Sequence, residues 1–174
     1  MIMIGAVDAN WAIGYRKDML IHLPLDLKRF RELTTGNIII IGRKTLESFP
    51  EGKPLKNRIN IVVTSDREYA VPEAVVVHSI EEAVEAAEKI SVENSMSIFV
   101  AGGGQIYEQM EQYCDEALVT YIYHEFENCD TYFPRLEDKP EWKLVATTDL
   151  QNFDDIMYEY RLYKREDKLF IKEN

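Results

Sequence analysis

The chain has 174 residues, of which 46% are hydrophobic and 29% charged, enough for one sizeable core and ordinary for a globular domain. A formal net charge of −11 argues against nucleic acid as the main partner, because that binding rests on neutralising phosphates. No apolar run approaches the ~18 residues of a membrane span, and Met1-Ile2-Met3-Ile4 carries neither the basic region nor the cleavage pattern of a secretory leader. Cys114 and Cys129 match no metal-ligand spacing and are too few for a disulfide scaffold, so both are read as thiols in a reducing cytosol.

The charge is unevenly spread. Residues 1–67 carry 11 Lys and Arg against 7 Asp and Glu, whereas residues 68–174 carry 9 against 24. The basic first third suits a small anionic ligand, although chance surface composition gives the same numbers.

In chain order, residues 1–7 predict a buried strand and residues 8–22 a long loop containing Gly14. Pro24 suits a first helical position, and the helix it opens ends near Thr35-Gly36, with Gly36 placed to cap it. Residues 37–41 form a β-branched run expected of a strand buried on both faces. Residues 58–64 and 74–77 predict two more strands. Ser79-Ile80-Glu81-Glu82 is a capping box opening a helix with Ile80, Ala83, Val84, Ala87 and Ile90 on one face.

Residues 96–101 predict another buried strand, 105–112 a short helix, and 117–126 a strand. Residues 142–148 and 156–165 predict an antiparallel pair around 149–155. The expected fold is therefore α/β: a mostly parallel sheet with an antiparallel C-terminal edge, in one domain over residues 1–174.

Two features bear on chemistry. In the helix from Pro24, Leu23, Asp26, Phe30 and Leu33 share one stripe, which puts a carboxylate on an apolar face. Desolvation there is costly unless the carboxylate is paired, although a first-turn Asp also simply complements the helix dipole. Second, two predicted strands end in glycine corners: Gly42-Arg43-Lys44-Thr45 and Gly102-Gly103-Gly104-Gln105-Ile106-Tyr107. Neither is a Walker loop or a G-x-G-x-x-G fingerprint. Together they favour a dinucleotide lying across adjacent strand ends.

These pieces, in this order, resemble the dihydrofolate reductase family across nearly the whole chain. The matching residues are Ile13-Gly14, Leu23-Pro24-x-Asp26-Leu27-x-x-Phe30, Gly42-Arg43-Lys44-Thr45-x-Glu47-Ser48, Pro54-Leu55-Lys56-Asn57-Arg58, the triple-glycine corner, Thr120, and Asp130-Thr131-Tyr132-Phe133-Pro134. The resemblance implies a central eight-stranded sheet with about four helices, and reduction of 7,8-dihydrofolate to tetrahydrofolate by NADPH.

It further implies that Asp26 binds the pterin's amino group and ring nitrogen with support from Thr120. Ile4, Gly5, Ala6, Leu27, Phe30, Leu55, Ala101 and Tyr107 would line the substrate pocket, and Arg58 would grip the glutamate carboxylate. Ala6, Ile13, Gly14, Gly42, Arg43, Lys44, Thr45, Thr64, Ser65, Arg67, Ala101, Gly102, Gly103, Gly104, Gln105, Ile106 and Tyr107 would hold the cofactor. The peptide between Gly102 and Gly103 would be cis. Residues 1–22 would include the mobile active-site loop, with Met19, Leu20 and Ile21 as a lid over the nicotinamide. The implied ligands extend to antifolates of the diaminopyrimidine and methotrexate-like kinds; the implied protein is a cytoplasmic monomer without a metal.

The chain departs from the family pattern in four places. Ile21 stands where a tryptophan is common and Leu20 where a proline is common, so an indole N–H donor near the substrate is missing. Ala101 replaces a larger residue, and Gln105 replaces an arginine that some members use near the cofactor phosphates, which leaves Ser65, Arg67, Arg43 and Lys44 to secure the 2′-phosphate. Two other readings compete: a reductase of the same fold acting on another heterocycle, and a catalytically silent nucleotide-binding module. His22, His78 and His124 match no triad or ligand pattern and receive no role.

Overall fold

The structure, a computed structural model, describes residues 1–166; the expected domain boundary at 174 lies outside them. The first strand, β1 (Ile2–Val7), is central, with Met3 and Val7 fully buried. After it come β2 (Ala12–Tyr15), β3 (Asp18–Met19), α1 (Pro24–Thr34), β4 (Ile38–Gly42), α2 (Arg43–Ser48), β5 (Ile59–Val63) and β6 (Ala74–Val77). The rest is α3 (Ile80–Asn94), β7 (Ile98–Val100), α4 (Gly104–Met110), β8 (Glu116–Ile122), β9 (Thr131–Tyr132), β10 (Trp142–Thr147), β11 (Gln151–Phe153) and β12 (Ile156–Arg165).

Eight strands run in the order β10-β12-β8-β1-β7-β4-β5-β6, and β11 adds a short hairpin arm on β12. From β8 to β6 every pairing is parallel, while β12 is antiparallel to both β8 and β10. The expected mostly parallel sheet with an antiparallel C-terminal edge is what forms, flanked by four α-helices among the described residues. Ile38, Ile39, Ile40 and Ile41 are all 0% exposed, as a strand covered on both faces requires. Because β1, β4, β5 and β7 are parallel, their carboxyl ends lie side by side, and α1, α2 and α4 start near that rim.

The helix signals perform as their chemistry dictates. Pro24 opens α1, and Gly36 follows its end at φ +77°, a conformation open to glycine. Ser79 Oγ accepts from the Glu82 amide at 3.1 Å. The other arm of the box shifts by one residue, since the Glu82 carboxylate accepts from the His78 amide at 2.7 Å.

Two expectations are corrected. Residues 8–22 are not all loop: β2 and β3 form a hairpin that joins β9 in a separate three-stranded sheet. Its two-residue turn, Arg16 (φ +51°) and Lys17 (φ +69°), uses backbone angles that normally call for Asn-Gly, so the usual sequence signal is missing. The strand expected over 117–126 stops at Ile122. Beyond it the backbone turns to the loop that follows β1, with the His124 carbonyl accepting from the Ala9 amide and the Phe126 amide donating to the Asp8 carboxylate.

Candidate active site

Asp26 sits in the first turn of α1, whose N-terminus has no side-chain cap. Its carboxylate turns away from the helix end: Oδ1 accepts from the Thr120 hydroxyl of β8 at 2.5 Å. Burial pushes the Asp26 pKa up, while the Thr120 hydrogen bond and the positive charge of Arg29 pull against that rise. Complementing the helix dipole does not account for a half-buried carboxylate held by a neighbouring strand.

Around it, Ile4, Phe30, Leu33, Leu55, Ala101 and Leu118 pack in one apolar cluster with Ile39 and Phe99. The expected pocket residues Ile4, Phe30, Leu55 and Ala101 are therefore brought together. Leu27, one residue on from Asp26, is 38% exposed and stands outside that cluster.

Tyr107 of α4 packs on Phe133 in the main core and reaches the backbone of β1. Its buried hydroxyl donates to the Ile4 carbonyl at 2.6 Å, and burial, followed by the negative charge of Asp26, drives its pKa well above the usual phenol range. Two glycines make room for the ring. A Cβ on Gly5 would lie 2.9 Å from the Tyr107 hydroxyl oxygen, and one on Gly102 would lie 3.0 Å from the ring, where Gly102 also has φ +107°.

The two glycine corners meet at the rim. The Gly42 amide donates to the Gly102 carbonyl at 2.8 Å, and a Cβ on Gly103 would lie 3.2 Å from Thr45 Oγ1. The peptide between Gly102 and Gly103 is cis, as expected. Gly103 stands at the N-terminus of α4 and Gly42 at that of α2. A bare backbone on one side and a threonine hydroxyl on the other leave a cradle that side chains would fill, which suits a diphosphate.

Arg43 reaches toward the end of β5, 3.9 Å from Asp66 and 3.8 Å from Glu47, with its guanidinium 5.7 Å from the Tyr69 ring centre. Both ion pairs are long and exposed, hence weak and exchangeable for a stronger anion. Thr64 is buried and its hydroxyl accepts from the Asp66 amide, while Lys44, Ser65, Arg67 and Gln105 are exposed. Asp66 and Glu47 decide where Arg43 points.

At the opposite rim, Arg58 donates to Thr34 Oγ1 and to the Lys56 carbonyl, both at 3.1 Å. Burial and the adjacent charge of Arg31 both lower its pKa. Among the described residues no carboxylate lies within ion-pair distance of Arg58, and its charge together with that of neighbouring Arg31 suits an anion.

The loop after β1 is tied down by two carboxylates, Asp8 and Asp130. Asp8 is fully buried and accepts from the amides of Asn10 (2.8 Å), Ala12 (2.9 Å) and Phe126 (3.1 Å). Asp130 accepts from the Arg16 amide at 2.8 Å, and its own amide donates to the Gly14 carbonyl; the Arg16 and Thr131 hydrogen bonds hold its pKa below the usual range. Ile13 is half-buried and Gly14 buried, Leu20 is half-buried, and Ile21 packs with Leu23, Ala6, Ile122 and Tyr158. The bonds to Phe126 and Arg16 pair residues more than a hundred positions apart, and spacing along the chain carries no trace of them.

Among the described residues no group of three or more His, Cys, Asp or Glu could hold a metal ion, and no helix is long and apolar enough to cross a membrane. A family model described as dihydrofolate reductase matches residues 1–165. The chain is 40% identical over 166 residues to the dihydrofolate reductase of Bacillus subtilis strain 168, covering 93% of this chain and 92% of the relative. It is 35% identical over 147 residues to that of Staphylococcus aureus, covering 84% and 85%. The solved structure of dihydrofolate reductase from Enterococcus faecalis complexed with NADP(H) and RAB-propyl matches with a TM-score of 0.81 at 33% identity, covering 95% of this chain and 96% of that one.

Proposed function

This chain belongs to the dihydrofolate reductase family and reduces 7,8-dihydrofolate to tetrahydrofolate with NADPH; from that premise we propose which of its residues do the work. The observation that carries the assignment is the carboxylate of Asp26, held at 2.5 Å by Thr120 beside an apolar wall. Asp26 binds the amino group and ring nitrogen of the pterin, and Phe30, Ile4, Leu55 and Ala101 pack on its faces. Leu27, at the mouth, meets the substrate only as it enters the cleft. Arg58 takes the α-carboxylate of the glutamate tail, in a bidentate geometry that Lys does not match.

The backbone of Gly42, Gly102, Gly103 and Gly104, together with Thr45, cradles the cofactor's diphosphate. Arg43, Lys44, Ser65 and Arg67 serve its 2′-phosphate, with Asp66 and Glu47 releasing Arg43 to the stronger anion. Ala6, Ile13, Gly14, Ala101, Gln105, Ile106 and Tyr107 complete the cofactor site, and Thr64 shapes the turn that carries Ser65.

When bound, NADPH supplies the hydride that reaches C6 of the pterin while N5 gains a proton. The negative charge of Asp26 favours the protonated, cationic form of N5. The β2–β3 hairpin with Leu20 and Ile21 closes over the reacting atoms and excludes water, anchored through Gly14 to Asp130. With Ile21 where an indole would donate, backbone and solvent near the lid carry that hydrogen bond.

The described residues form one domain, monomeric and cytoplasmic. The cellular location is supported by the two cysteines, present as thiols.

The test is NADPH oxidation with dihydrofolate, followed by absorbance in wild type and Asp26→Asn, with NADPH binding measured separately. The expected result is a large loss of turnover at neutral pH with cofactor affinity unchanged. A parallel loss of cofactor affinity places Asp26 in the scaffold instead.

A further inference from the structure

Four residues from three elements close a ring at the floor of the cleft. Asp26 and Arg29 lie three apart on α1, which makes them neighbours on one helix face. Asp26 accepts from Thr120 on β8, and Thr120 is the register partner of Tyr160 on β12. Tyr160 completes the circuit, because the guanidinium of Arg29 stands 4.1 Å from the centre of its ring. We propose that Arg29, braced on Tyr160, is a positioning residue for the reduction: it supplies the fixed positive charge that keeps Asp26 in its carboxylate form inside the cleft. The proposal rests on the reading of Asp26 as the pterin-binding carboxylate.

The geometry explains why a brace is needed. Among the described residues Arg29 makes no ion pair within 4.0 Å, so its charge acts on Asp26 through space. A direct salt bridge would occupy the carboxylate oxygen that Thr120 leaves open. Stacking on the Tyr160 ring holds the cation close without blocking Oδ2, which remains available to a ligand.

Among the described residues no other charge near Asp26 does the same. The titratable groups facing it are Arg29 from α1, Tyr107 from α4, and Tyr158 and Tyr160 from β12. Burial raises the pKa of all three phenols, Tyr160 to about 12, so they stay neutral wherever the enzyme works. Burial of Arg29 disfavours its own cation, and the charge of Asp26 acts in the opposite sense. Burial therefore works against both charges, and each offsets part of that penalty for the other.

The experiment reads Asp26 directly. The full-length chain is labelled with ¹³C at the aspartate side-chain carboxyl, and the Asp26 resonance, assigned through Asp26→Asn, is titrated with and without NADPH. Arg29→Met removes the charge and keeps the stem, so the Asp26 midpoint should rise by about one pH unit, the low end of what a nearby opposite charge contributes. Arg29→Lys should restore most of the shift, and Tyr160→Leu, which frees the guanidinium, should give an intermediate value. The pH at which hydride transfer changes should move with the midpoint.

An unmoved midpoint in both Arg29→Met and Tyr160→Leu overturns the proposal, and if Arg29→Met does not fold, Tyr160→Leu alone decides. A midpoint that moves while the rate profile stays put upholds the brace and overturns the role given to Asp26.

Discussion

Removing one oxygen atom at Tyr107 should loosen β1 where its ladder with β7 ends. The β1–β7 ladder ends at Met3 and Val100, and the Tyr107 hydroxyl satisfies the next carbonyl, that of Ile4, at 2.6 Å in a buried position. Tyr107→Phe keeps the ring and leaves that carbonyl without its donor. An unmet buried acceptor costs about 1–3 kcal/mol. For a chain of this size each kcal/mol moves Tm by roughly 2–4 °C, so a loss near 2 kcal/mol appears as about 4–8 °C. Because burial holds the phenol protonated far into the alkaline range, the loss should be the same from mildly acidic to mildly basic pH.

The structure also predicts a coupling. Gly5→Ala puts a Cβ 2.9 Å from the same oxygen and 3.3 Å from the Phe133 ring, so its cost should be smaller in the Tyr107→Phe background. Urea unfolding of the four members of this cycle measures both terms. An unchanged midpoint for Tyr107→Phe, or strict additivity with Gly5→Ala, would refute the account of this contact.

Arg58→Lys should raise KM for dihydrofolate by roughly tenfold or more through loss of the bidentate fork, while a pterin without the glutamate tail is barely affected; equal losses on both substrates make Arg58 structural. Arg43→Ala should weaken NADPH far more than NADH, because only NADPH carries the 2′-phosphate, and calorimetric titration of both cofactors decides it. Asp26→Asn should stabilise the protein at neutral pH. A carboxyl whose pKa is raised by folding opposes folding when ionised, so the variant's advantage should be full above the folded midpoint and vanish as pH falls below the ordinary carboxylate range. Thermal unfolding across pH tests that sign, and an advantage that persists in acid contradicts it.

What was legible in the sequence is what local chemistry encodes. Ile38–Ile41 announced a strand covered on both faces, Ser79 announced a helix start, and Leu23, Asp26 and Phe30 announced a carboxylate on an apolar stripe. The glycine corners pointed to the rim because their chemistry depends on a missing side chain. The β2–β3 hairpin was illegible, since Arg16 and Lys17 take positive φ without the residues that usually mark it. Asp8 and Asp130 were illegible as loop anchors for another reason: their partners, Phe126 and Arg16, are 118 and 114 residues away. Arg29 lies off the apolar stripe of Leu23, Asp26 and Phe30, and only the register of β12 against β8 brings Tyr160 beneath it.

Single-turnover hydride transfer from NADPH to dihydrofolate, followed against pH in wild type and Asp26→Asn, tests the central claim most directly. Asn keeps the acceptor for Thr120 and removes the charge. At neutral pH the variant should transfer hydride more slowly by roughly 10²–10⁴, the range of general acid–base contributions. It should recover as pH falls, because solvent then protonates N5 without help, and it should reduce a substrate already protonated at N5 far better than neutral dihydrofolate. Wild-type rates at neutral pH, or a deficit that does not change with pH, would contradict the account.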